Sequence, residues 1–157
     1  MADEDLTDMI QTSAEVQEAS ALPCARVAHT DPKRPRTAEQ EPLPDAVAAQ
    51  PFEAKSPAQW AYERLILYIK NFETQLDNDH EVAMGFAGGD AGVLRIEGIG
   101  YFDPDIVTFY GRDEDDARTQ LIQHVSQLSV MLRALPKSPE VEEPRRIGFQ
   151  LAAELEK

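Results

Sequence analysis

His124 stands in a run with Gln120, Gln123 and Gln127. On a helix this spacing sets all four along one face, a row of neutral donors and acceptors suited to a polar ligand or a peptide backbone. They are the candidate partner-binding residues, and the competing reading is an ordinary solvated stripe. Catalysis by His124 needs a carboxylate to orient the ring and a nucleophile to activate. Asp103 or Asp105 could serve as the carboxylate of a small hydrolase, but no pattern supplies the nucleophile. No catalytic residue is assigned. Arg145 and Arg146 are the strongest local positive feature of an acidic region and could receive a carboxylate or phosphate. The simpler reading pairs them with Glu142, Glu143 or the sheet's own acids.

Three other groupings carry less. Asp103, Asp105 and the Asp113-Glu114-Asp115-Asp116 cluster offer carboxylates of the kind hard cations prefer, yet the glycine and closing Glu of a calcium loop are missing. They read as a turn and a helix start, so no metal is expected. Gly88, Gly89 and Gly92 lack the Lys-Ser/Thr that completes a phosphate loop, and a hairpin turn accounts for them. Cys24, near Arg26 and His29, lies in a stretch with no predicted scaffold, and catalysis needs a positioned nucleophile. No cofactor is expected.

The elements that would position these groups lie after residue 55. Ser56, Pro57 and Gln59 form a helix-start signal with the spacing of a capping box. Ala58, Ala61, Leu65, Tyr68, Ile69, Phe72 and Leu76 continue at helical spacing, which predicts a helix over 57–76. Period-2 alternation follows over 81–87, 93–101 and 106–111, separated by glycine-rich and Asp103-Pro104-Asp105 turns. That predicts an antiparallel meander. Leu121, Val125, Leu128, Leu132 and Leu135 then recur at helical spacing and predict a second helix, ended by Pro136. Ile147, Phe149 and Leu151 alternate and suggest a fourth strand. The expected fold is α+β, a two-layer sandwich in the order α-β-β-β-α-β, with two helices on one face of a small antiparallel sheet.

Upstream, all 11 aromatic residues lie at or after Phe52, and seven of 11 prolines lie in residues 1–57. A chain without large apolar groups cannot offset its ordering entropy. Residues 1–54 are therefore expected to be a disordered acidic, proline-rich tail, and 55–157 the domain. Leu6, Met9, Ile10 and Ser13 recur at helical spacing and could form a short partner-docking helix. Lys33, Arg34 and Arg36 form a basic knot broken by Pro35, read as a linker feature.

The 157-residue chain carries a formal charge of −14. Nucleic acid and anionic membrane surfaces repel such a chain, so neither is expected as a partner. The N-terminus has no basic start or apolar core of a signal peptide, and no apolar run reaches membrane-spanning length. One cysteine permits no internal disulfide. The expected location is cytoplasmic.

The segments Ile99-Gly100-Tyr101-Phe102-Asp103-Pro104-Asp105, Leu121-Ile122-Gln123-His124-Val125-Ser126-Gln127-Leu128 and Arg145-Arg146-Ile147-Gly148-Phe149 resemble a small family of uncharacterised bacterial proteins, known only as a domain of unknown function. The resemblance covers roughly residues 56–152 and implies no activity, cofactor or site residue. Three functions follow as expectations. The first is a non-catalytic protein-binding or adaptor module. The second is a structural homodimer joined at a sheet edge or face. The third is a small hydrolase using His124.

Overall fold

The computed structural model of the chain describes residues 25–86 and 92–157. The α+β class and the antiparallel sheet are both present. Two short helices and one long one accompany five strands: α1 (Asp45–Ala49), α2 (Pro57–Thr74), β1 (His80–Phe86), β2 (Val93–Phe102), β3 (Ile106–Arg112), β4 (Arg118–His124), β5 (Val130–Pro136) and α3 (Gly148–Glu154). The strands lie in the order β4-β3-β2-β1-β5, each antiparallel to its neighbour.

Helix α2 starts where the capping signal places it. Ser56 Oγ accepts from the Gln59 amide at 3.1 Å, while the Gln59 side chain turns away to Gln50. Ala58, Ile66 and Ile69 are buried along one side of α2. Beneath it lies the core: Val82 and Met84 from β1, Leu94 and Ile96 from β2, and Val107 and Phe109 from β3. Phe109 is fully buried, and Leu65, Phe72, Val125, Leu128 and Leu132 pack against the cluster half-buried. Trp60 instead stacks under Arg64, whose guanidinium lies 3.4 Å from the ring centre.

Two element assignments differ from the sequence reading. The predicted second helix is β4, a 3-10 turn (Val125–Gln127) and β5. The predicted fourth strand is helix α3, with Ile147 just before its first residue and Leu151 one turn further on. The Asp113–Asp116 cluster therefore starts no helix. It makes the β3–β4 hairpin, in which Asp113 Oδ1 accepts from the Asp115 and Ala117 amides at 2.9 Å each and Asp116 takes φ 62°.

The sheet is sharply bent, and its connections require this. His124 is level with Phe102 at the end of β2, through Ile106. Val130 pairs with Phe86, at the end of β1 that meets the start of β2. Across a flat sheet that diagonal would be about 35 Å. Six residue steps from His124 to Val130 span at most about 21 Å, and the 3-10 turn shortens them further. The bend falls on β2. Its first residues pair with β1, the rest pair with β3, and the register shifts between Ile96 and Gly98. A β-bulge of this kind turns a strand and raises its twist.

The stretch 1–54 was expected to be disordered. Residues 1–24, with the Leu6–Ser13 face and Cys24, lie outside the described residues. Residues 36–54 depart from the expectation by lying as a strap along α2. Asn71 donates to the Arg36 carbonyl at 3.0 Å, Tyr68 Oη donates to Glu39 at 2.8 Å, and Val47 is buried. The Tyr68 hydroxyl holds the Glu39 carboxyl below its ordinary pKa. At the base of the strap the Lys55 ammonium reaches the Val47 carbonyl at 2.7 Å and Glu63 Oε2 at 3.1 Å.

Candidate functional site

Two turns meet at one corner of the bent sheet: residues 103–105, between β2 and β3, and the 3-10 turn after β4. Backbone bonds tie the corner together. The Ala58 amide donates to the Pro104 carbonyl at 3.0 Å and the Val125 amide to the Asp105 carbonyl at 2.8 Å. Ser56 Oγ donates to Asp103, so Asp103 is engaged at the start of α2.

His124 and Asp105 do come together. His124 Nε2 lies 3.0 Å from Asp105 Oδ2, and its Nδ1 lies 2.7 Å from Ser126 Oγ. The Ser126 amide also donates to Nδ1, at 3.1 Å. A backbone N–H can only donate, so Nδ1 carries the lone pair and Nε2–H donates to Asp105. The distances match those of a carboxylate–imidazole–hydroxyl relay, and Ser126 supplies a hydroxyl the sequence reading did not single out. Two features oppose hydrolysis. The lone pair that would take the serine proton is already held by the serine's own amide. Both side chains are also more than two-fifths exposed, where water screens the charges that a relay must develop. The arrangement closes the turn as a cap instead, with Gln127 Oε1 accepting from the His124 amide at 3.0 Å. We expect Ser126→Ala to leave hydrolysis of a p-nitrophenyl ester at the unmodified chain's level. We expect His124→Ala to lower unfolding free energy by about 1 kcal/mol, as cap losses do. A serine-dependent ester turnover would reverse the assignment.

The four residues predicted to share a helical face do not share one, because β4 is a strand and side chains alternate across it. Gln120 and His124 point outward. Gln123 turns inward, and its buried Oε1 has no hydrogen-bond partner among the described residues. Gln127 belongs to the turn. Arg145 and Arg146 are placed beside the α2–β1 connection. The Arg145 guanidinium donates to the Ile96 carbonyl, and Arg146 reaches the His80 and Asp77 carbonyls at 2.7 Å each. The Arg145 amide donates to Glu81 at 2.8 Å. Their donors thus clip the chain before α3 to the domain. Among the described residues no three His, Cys, Asp or Glu side chains are grouped to hold a metal.

The outward face of β2, β3 and β4 was not singled out in the sequence. Cross-strand register arranges it in rows: Phe102, Ile106 and His124; Gly100, Thr108 and Ile122; Gly98, Tyr110 and Gln120; then Arg112 and Arg118. Phe102 is 76% exposed, Ile122 60% and Tyr110 43%. Gly98 and Gly100 leave room for the Tyr110 ring, whose nearest atoms would lie 3.7 Å from an added Cβ at either glycine. On the inner side, Tyr101 stacks on Tyr62 of α2 with ring centres 4.9 Å apart. Burial pushes both phenols above their ordinary pKa. The alternation that could have revealed the outer face is present in Phe102, Ile106, Thr108 and Tyr110. The sequence does not show which of two apolar sides α2 covers.

A separate groove of about 600 Å³ runs between the strap and α2, lined in part by Leu43, Leu67, Lys70 and Asn71. Among the described residues, no helix is long and apolar enough to cross a membrane. The model of a family of unknown function, DUF6173, matches residues 52–150, which spans the domain from the base of the strap into α3. No curated protein and no solved structure matches the chain.

Proposed function

We propose that this chain, which belongs to the family of unknown function DUF6173, is a protein-binding module whose contact surface is the outward face of β2, β3 and β4. The observation that carries this reading is the grouping of Phe102, Ile122 and Tyr110, all exposed, on adjacent strands. Isolated exposed apolar residues are ordinary on any surface; a grouped patch marks an interaction site. Aromatic residues in such a patch supply large contact area at low entropic cost. Arg118 closes the last row and has no side-chain partner among the described residues. Glu97 holds neighbouring Arg112 at 3.2 Å. The partner this chemistry fits is a protein segment with apolar side chains flanked by a carboxylate that Arg118 can take. The net charge of −14 supports a protein rather than a polyanionic partner, and a chain with one cysteine suits a cytoplasmic setting.

A photo-cross-linking residue placed at Phe102 tests this, with the same residue at Phe149 on α3 as control, because Phe149 is equally exposed. We expect cross-linked partner protein from position 102 and not from 149, and its loss on Arg118→Glu. Phe102→Ser should leave unfolding free energy within about 0.5 kcal/mol, as exposed substitutions do. Equal labelling at both positions, or none at 102, would overturn the assignment of this face.

A further inference from the structure

Among the described residues, the sheet ends in two strands with an unpaired side, β4 and β5, each seven residues long. Natural sheets blunt such edges with lysine, proline, bulges or a covering element, because rows of free N–H and C=O groups template pairing with another chain. Strand β4 has no lysine, proline or glycine, and it joins β3 through seven consecutive pairs without a bulge. Charge sets these edges apart from the rest of the molecule. The chain contains 29 acidic residues, yet none lies between Asp116 and Glu140. That acid-free span contains both edge strands and the turn between them. Its charged groups are Arg118, Arg133 and Lys137.

We infer that the chain self-associates through its sheet edge, with β4 of one copy adding to an edge strand of a second copy. Like-charged surfaces oppose association, so a copy with a charge of −14 is repelled by its twin in most orientations. The edge strands carry no carboxylate of their own, so strand-to-strand approach sets none directly across the seam. A second copy is also the occupant that has two such edges to offer. Pairing of β4 with itself through a two-fold axis is antiparallel and sets Arg118 near His124 of the other copy rather than against another Arg118. The equivalent pairing of β5 would centre on Arg133 and oppose like charges, which is why β4 is the docking strand. The outward row positions of β4 stay available to the face described above, so this inference stands apart from that one.

The test is the mass of the full chain by light scattering across the micromolar to millimolar range, with amide exchange measured at both ends. We expect a dimer or larger closed assembly whose β4 amides gain protection as concentration rises. The double variant Arg118→Glu, Gln120→Glu places carboxylates on the edge. Both positions are exposed, and Arg118 pairs across to Arg112, so the new glutamate shares that cation with Glu97 and folding is retained. This variant should weaken association at least about tenfold, and more at low salt. Phe149→Ser, on α3, should not change it. A monomer at every concentration overturns the inference, and so does an assembly that the double variant leaves intact while melting is unchanged.

Discussion

Replacing Gly111 with alanine is expected to disrupt the domain, at a cost of about 3 kcal/mol or more. Gly111 pairs with Ile96 at the bend of β2. An added Cβ would collide with the Arg95 carbonyl oxygen and lie 2.9 Å from its carbon and 3.2 Å from Ile96 Cα. Each of these is a backbone atom held by strand pairing, and none can rotate away. Overpacking against flexible side chains typically costs 1–3 kcal/mol; here the relief requires opening the β2–β3 ladder itself. Val107 and Phe109, fully buried on β3, would lose their register with it. Gly98→Ala is the control, since its Cβ would meet Tyr110 at 3.7 Å, an ordinary contact. Urea unfolding of both variants decides the matter. Equal stabilities would mean that the bend can move to another residue.

The second large effect is expected from Glu63→Ala, at about 3–5 kcal/mol, the range for removing one partner of a buried ion pair. The Lys55 side chain is 1% exposed and that of Glu63 7%. Removing the carboxylate leaves an ammonium in the interior with the Val47 carbonyl and the face of Trp60, 4.7 Å away, as its remaining partners among the described residues. Such a group re-enters water by dragging the base of the strap with it. The strap should then detach, and trypsin should cut at Arg36 faster than in the parent chain. The double variant Lys55→Met, Glu63→Leu removes both charges and should recover most of the loss, because apolar replacements of buried pairs are often neutral or better. If the double variant is as unstable as the single one, the loss comes from packing around Glu63 and not from a stranded charge.

Several features are set by local chemistry and were legible in the residues. Ser56-Pro57 starts α2 because a hydroxyl and a fixed φ suit that position wherever the helix packs. Asp103-Pro104-Asp105 turns the chain for equally local reasons. Leu121, Val125, Leu128 and Leu132 were legible as core-facing residues, but not as parts of two strands. A spacing of three to four residues satisfies a helix, and it also satisfies an inward residue on β4, one on a tight turn, one just after it and one on β5. The stretch 147–151 has the same ambiguity in reverse, since Ile147 and Leu151 fit either period and only packing against α2 selects the helix.

What the sequence determined by itself is therefore the α+β class, the position of α2 and the Asp103-Pro104-Asp105 turn. The tertiary structure decided the rest. It brought Asp105 to His124 across 19 positions, because the bent sheet folds two turns onto one corner. It turned Gln123 inward and left Phe102, Tyr110 and Ile122 exposed on the opposite side of β2, β3 and β4 among the described residues. Periodicity records that a residue is apolar and how often it recurs; which face another element will cover depends on contacts between residues far apart in the chain.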